Sequence, residues 1–161
     1  MSLKKFVDGA SAAMTVALWK KHGFKVVATN GCYDILHAGH IQFLEAAKRR
    51  GDKLVVGLNT DESVRKLKGP SRPLNNLFDR SQVMCALETV DMVVPVPETE
   101  MCQFLEVTQP DLWVKGGDYT LETLNQEEVK SARHVGAEIE LLPFTDGHST
   151  TNLVERIKAQ G

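Results

Sequence analysis

Five short apolar runs, rich in Val, Ile and Leu, recur along the chain at 24–29, 54–58, 92–96, 112–114 and 138–142, and helix-like stretches separate them. Strands kept apart by helices cannot pair through tight hairpins. They join by crossovers, which give a parallel sheet with helices on both faces. The spacing predicts an α/β, doubly wound, mostly parallel five-stranded sheet. The helices are expected over 10–22, with Met14, Ala17 and Leu18 on the inward side and Gly23 as the stop, and over 41–50, with Ile41, Leu44 and Ala47 inward. Further helices are expected from the Asn59-Thr60-Asp61 turn to about Lys66, and over 79–90, 100–108, 121–135 and 149–159. A chain of 161 residues suits one domain, 1–161, with 1–23 as a helical extension on a core of 24–159.

Charge and cysteine usage exclude several classes. The 19 basic and 21 acidic residues are well mixed, and no basic stripe or tail argues for nucleic acid. The apolar runs are too short to span a bilayer. Met1-Ser2-Leu3-Lys4-Lys5 has no apolar stretch or cleavage signal behind it, so cytoplasm is the expected location. Cys32, Cys85 and Cys102 are odd in number and far apart, which argues against a disulfide framework or a structural zinc.

In a doubly wound sheet, ligands sit at the carboxyl ends of the strands. The loops 30–40, 59–61, 115–119 and 145–150 all follow strands and should converge there. The most telling of them runs from Val26 to His40: a strand, a Gly-containing turn, and a helix start flanked by His37-Ala38-Gly39-His40. A helix N-terminus offers unpartnered N–H groups and positive dipole, so this element predicts an anion site. Gly39 keeps side-chain bulk away, and His37 and His40, three apart, reach the same ligand. Lys66, Lys68 and Arg72 sit in a Gly/Pro-broken loop that could clamp phosphates, with Arg80 as a further phosphate candidate. Ser149, Thr150 and Thr151 open the last helix as caps and donors. Asp34 could hold a Mg²⁺ ion or brace its turn. Cys32 is not expected to act as a nucleophile, and Cys85 and Cys102 read as core. A dinucleotide-dependent dehydrogenase is excluded, because no Gly-x-Gly-x-x-Gly follows the first strand.

The run Gly31-Cys32-Tyr33-Asp34-Ile35-Leu36-His37-Ala38-Gly39-His40 resembles the signature of the HxGH nucleotidyltransferases, in their cytidylyltransferase-like branch. With Asn59-Thr60-Asp61, the loop 66–73, Lys115-Gly116-Gly117-Asp118-Tyr119 and Asp146-Gly147-His148-Ser149-Thr150-Thr151-Asn152, it is similar to the adenylyltransferase of bacterial ADP-heptose synthesis, in a stand-alone form without a kinase domain. The resemblance implies a Rossmann-like fold, ATP and heptose 1-phosphate as substrates, Mg²⁺ accompanying ATP, and a homodimer. It implies His37, His40 and either Lys66 or Lys68 at the reacting α-phosphate. Asn30, Gly31, Cys32, Tyr33, Gly39, His40, Lys115, Gly116, Asp118, Ser149, Thr150 and Thr151 would hold the nucleotide, and Asp34, Asn59, Arg72 and Arg80 the acceptor or its phosphate. A glycerol- or ethanolamine-phosphate cytidylyltransferase is the alternative in the same fold. A non-catalytic nucleotide-binding module is the alternative from another class.

Overall fold

The computed structural model describes residues 3–143 and 150–160. Five strands, β1 (Val26–Gly31), β2 (Lys53–Asn59), β3 (Met92–Val96), β4 (Leu112–Gly116) and β5 (Glu138–Leu142), form one all-parallel sheet in the order β3-β2-β1-β4-β5. From β1 the chain steps outward to β2 and β3, then crosses to β4 and β5 on the other side. The order therefore reverses between β1 and β4, and that is where a crevice opens in such sheets.

Among the described residues seven α-helices flank the sheet: α1 (Gly9–Lys21), α2 (Ala38–Lys48), α3 (Asp61–Lys68), α4 (Leu77–Ala86), α5 (Cys102–Thr108), α6 (Gln126–His134) and α7 (Thr150–Ala159). Alternate strand residues feed two cores. On one face Val26, Ala28, Val55, Val94 and Trp113 pack with Ala12 and Val16 of α1, Phe104 and Leu105 of α5, and Val129 of α6. On the other, Val27, Leu54, Val56, Val93 and Val114 pack with Leu44 of α2 and Met84 of α4. Each fully buried Val or Leu contributes about 1.5–3 kcal/mol. No helix among the described residues is long and apolar enough to cross a membrane.

Several boundaries differ from the sequence reading. α1 turns Ala12 and Val16 inward and leaves Met14 and Leu18 75% and 54% exposed, the reverse of the expected face. Small residues at i and i+4 let α1 lie close against α5, whereas the larger side chains had suggested the opposite stripe. Ahead of α1, Phe6 bridges to Val93 of β3, and the Val7 N–H donates to the Val93 carbonyl at 3.0 Å. α4 begins at Leu77 behind an Asn76 cap and stops at Ala86, short of Val90. α6 begins at Gln126, because the Asn125 side chain caps it and a Thr120–Thr123 turn fills the preceding stretch.

Candidate active site

A cavity of about 350 Å³ lies at the carboxyl ends of the strands, lined by six segments of the chain. Asn30 to Asp34 come from the end of β1, and His40 and Phe43 from α2. Asn59, Leu67, Lys68 and Arg72 follow β2, while Thr99 and Met101 follow β3. Lys115, Gly116 and Tyr119 follow β4, and Thr150 opens α7.

The turn after β1 is shaped by crowding. Tyr33 has φ 45 and folds its ring beneath Gly31, where any Cβ would stand 2.8 Å from that ring. Gly31 is therefore required for close approach. Burial pushes the Tyr33 phenol well above its ordinary range, so it is a packing group and not an acid. The Cys32 thiol is likewise pushed up by burial, against Lys68, Arg80 and Arg72, and its Sγ lies 3.9 Å from Asn59 Oδ1. A thiol kept protonated is a poor nucleophile. The Trp113 indole N–H donates to Asn30 Oδ1 at 3.2 Å, tying β1 to β4 across the crevice.

Of the two readings open for Asp34, the structure selects bracing. Its side chain is 1% exposed. Its oxygens accept from Arg72 Nε at 2.6 Å, from the Leu74 N–H at 2.8 and 2.9 Å, and from the Asn75 N–H at 2.8 Å. Burial raises its pKa, but the Asn75 and Leu74 amides and the Arg72 guanidinium together outweigh burial and hold it below the usual carboxylate value. With its acceptor sites filled, Asp34 does not fit a magnesium ligand or a direct substrate contact, and this corrects its place among the acceptor-binding residues. No group of three or more His, Cys, Asp or Glu among the described residues is arranged to hold a metal.

Arg80 is a second correction. Its side chain is 1% exposed. Nε donates to the Asn75 carbonyl, Nη1 to the carbonyls of Cys32 and Asn59 at 2.7 and 2.8 Å, and Nη2 to Asp61 at 2.7 Å. A guanidinium spent on three loop carbonyls and a carboxylate ties the ends of β1 and β2 together and leaves little for a phosphate. Asn59 is also turned inward, donating to Ser63 Oγ at 2.8 Å and to the Glu98 carbonyl at 3.3 Å. It borders the cavity as a brace of α3, and direct substrate contact is not its main role.

His37 precedes α2 as its extended N-cap residue, with φ −141, so it lies outside the helical turn expected for it. The two imidazoles nevertheless meet: His37 and His40 stack with centroids 3.8 Å apart and planes 22° from parallel, and Tyr33 closes edge-on at 5.3 Å from His40. Gly39 is buried in the first turn of α2. Burial, then His37, then Lys68 lower the His40 pKa to about 4. At neutral pH His40 is an uncharged imidazole that offers one N–H.

The two lysines separate cleanly. Lys66 pairs with Glu62 at 2.9 Å along α3 and stands outside the cavity lining, whereas Lys68, at the end of α3, lines it. Arg72 lines the cavity as well, its Nε engaged by Asp34. On the β4 side, Lys115 and Gly116 line the cavity, while Asp118 is exposed and lies outside the lining. Thr150 donates from Oγ1 to the Ile35 carbonyl at 3.3 Å, and Thr151 is exposed. Ser149, with Asp146, Gly147 and His148, lies outside the described residues. The sequence reading overlooked Thr99 and Met101; the same strand-end rule, applied to the loop after β3, points to them.

The chain is similar in fold and in sequence to known proteins. A solved structure, the lipopolysaccharide core biosynthesis protein from Thermoplasma volcanium GSS1, superposes with a TM-score of 0.62 at 27% identity, covering 76% of this chain and 98% of that one. The bifunctional protein HldE of Mesorhizobium japonicum is 45% identical over 153 residues, 95% of this chain and 30% of that protein. HldE of Haemophilus influenzae strain Rd is 47% identical over 146 residues, 89% of this chain and 30% of that protein. HldE of Halorhodospira halophila is 44% identical over 155 residues, 96% and 32% of the two chains. The chain thus spans about a third of the length of these curated relatives. The cytidylyltransferase-like family profile matches residues 28–156, from the middle of β1 to α7. With the fold, the motif and the cavity on the same strand ends, the chain belongs to the cytidylyltransferase-like family of nucleotidyltransferases.

Proposed function

We propose that the protein transfers the adenylyl group of ATP to D-glycero-D-manno-heptose 1-phosphate, giving ADP-heptose and pyrophosphate. The observation that carries this reading is His40, which stacks on His37 and lines the strand-end cavity together with Lys68. A phosphate oxygen of the acceptor attacks the α-phosphorus, and the bond from that phosphorus to the oxygen bridging to the β-phosphate breaks in line. The electron pair leaves with pyrophosphate. An ionised phosphate needs no strong base, and no covalent enzyme intermediate forms. Catalysis then rests on fixed donors aimed at the charge that develops.

In this reading His40, neutral and held by stacking, donates to the oxygens at the α-phosphate, and His37 serves the same centre from outside the helix. Lys68 neutralises the charge on the reacting phosphate, and Arg72, backed by Asp34, grips the acceptor phosphate. Thr150, with Ser149 and Thr151, holds the outer phosphates. Asn30, Gly116 and Lys115 form the nucleoside end. Mg²⁺ belongs to the substrate as the counter-ion of the triphosphate, and no step is assigned to a protein-bound ion. The family resemblance further supports a homodimer, which light scattering would check.

Pyrophosphate release tests the reading, with ATP or CTP against the heptose phosphate or glycerol 3-phosphate. Release with ATP and the heptose phosphate alone is the expected result. Release with CTP would keep the mechanism and move the substrate to a cytidylyltransferase reaction. Tight nucleotide binding with no release from any pair would point instead to a non-catalytic binding module.

A further inference from the structure

The β4 end of the cavity rests on a residue that belongs to none of the motifs. Glu128 of α6 is buried, its side chain 7% exposed. Its Oε1 accepts from the Met101 N–H at 2.9 Å, and its Oε2 pairs with Lys115 Nζ at 3.4 Å. Lys115 is 18% exposed, and its ammonium lies 5.1 Å from the centroid of the Trp113 ring. One carboxylate therefore fixes both the loop after β3 and the lysine that lines the cavity after β4. A buried carboxylate persists only when paired, and here it is paired twice.

The two ends of the cavity differ in charge as a result. At the histidine end Arg72 is balanced by Asp34, but Lys68 makes no ion pair among the described residues, so this end is net positive. At the other end Lys115 is balanced by Glu128 and clamped against an aromatic face. A lysine in that state offers oriented N–H donors with little free charge, which suits an uncharged acceptor atom better than a phosphate.

We propose that Glu128 is a positioning residue that makes Lys115 a reader of an uncharged acceptor on the base or ribose. This rests on the reading of the cavity as a nucleotide site. Calorimetric binding of ATP and of inorganic tripolyphosphate separates the two. Glu128→Gln keeps an oxygen for the Met101 N–H and removes the charge that holds Lys115; Lys115→Met removes the donor. Both variants should weaken ATP by about tenfold or more, the usual size of a lost charge-assisted hydrogen bond, with tripolyphosphate changed by less than about twofold. The double variant should lose no more than Lys115→Met alone, because Glu128 acts through Lys115. Unchanged ATP affinity in Glu128→Gln overturns the proposal. So does tripolyphosphate binding that shifts in step with ATP in Lys115→Met, which decides the matter even if the glutamate variant fails to fold. Wild-type protein that binds tripolyphosphate as tightly as ATP would instead sink the nucleotide reading itself, before any variant is made.

Discussion

Arg80 and Lys68 were both expected to meet phosphate, and the fold treats them in opposite ways. Arg80 lies beneath the turn after β1, its side chain 1% exposed, with bonds to the Cys32, Asn59 and Asn75 carbonyls and to Asp61. Lys68 ends α3, exposed, and faces the cavity. Asp34 and Asn59 belong with Arg80: buried, and satisfied by the protein's own loops. His40 and Thr150 belong with Lys68 on the rim. Buried charge is costly unless fully partnered, so the fold spends the inner polar groups on holding loops in place. The rim groups need not be satisfied before the ligand arrives, and so they remain available to it. The floor shapes the site, and in the proposed reading the rim contacts the substrate.

The sharpest way to break this division is Arg80→Met. It strips donors from three loop carbonyls and leaves Asp61 without its partner. The expected loss of stability is about 3–5 kcal/mol, the range for breaking a buried charged network, or a Tm lower by roughly 10 °C. Chemical denaturation would read it. A variant as stable as wild type, with only weakened substrate binding, would return Arg80 to the rim.

Rim substitutions should do the reverse. His40→Ala should lower kcat by about 10² or more while the protein stays folded, because oriented donors at a developing oxyanion have that effect. A loss of less than about tenfold would remove His40 from the reacting centre. Lys68→Ala should cost about tenfold in kcat/KM, and Lys66→Ala less than about twofold, because Lys66 is spent on an exposed i,i+4 pair with Glu62. Equal losses at the two lysines would show that the loop reaches the substrate in another arrangement.

How much of this was legible in the sequence follows the same division. The alternation of apolar runs with helices determined the parallel sheet, and the strand-end rule brought His40, Lys68, Arg72 and Lys115 to one cavity. What sequence could not supply was which polar groups turn inward. Asp34, open to either role in the sequence, and Arg80, a phosphate candidate there, are braces, because backbone groups of loops far away in the chain are among their partners. Glu128 was hidden in a polar helix, since burial of a single carboxylate depends on how α6 meets the loop after β3. The inward face of α1 was misread for a related reason. Ala12 and Val16 are buried because α5 is close, and a periodicity weighted by side-chain size favoured Met14 and Leu18 instead.

The smallest effect tests whether His40 is neutral in the resting protein. Its pKa is lowered to about 4 in the folded state, by burial first and then by His37 and Lys68, against an ordinary value of 6.5. Between those values the unfolded chain binds the proton and the folded one does not. Stability therefore falls as pH drops from 6.5 toward 4, and above 6.5 this group no longer affects it. Asp34, held below its usual 3.8, loses its contribution at still lower pH and does not mask that window. His40→Ala should flatten the dependence of urea unfolding on pH between 5 and 6.5. An identical slope in variant and wild type would mean that the folded imidazole titrates normally. A neutral His40 also predicts that kcat does not fall between pH 6 and 8 through loss of an imidazolium. A decline centred near 6.5 that disappears in His40→Ala would put a charged histidine at the α-phosphate and replace the neutral donor proposed above.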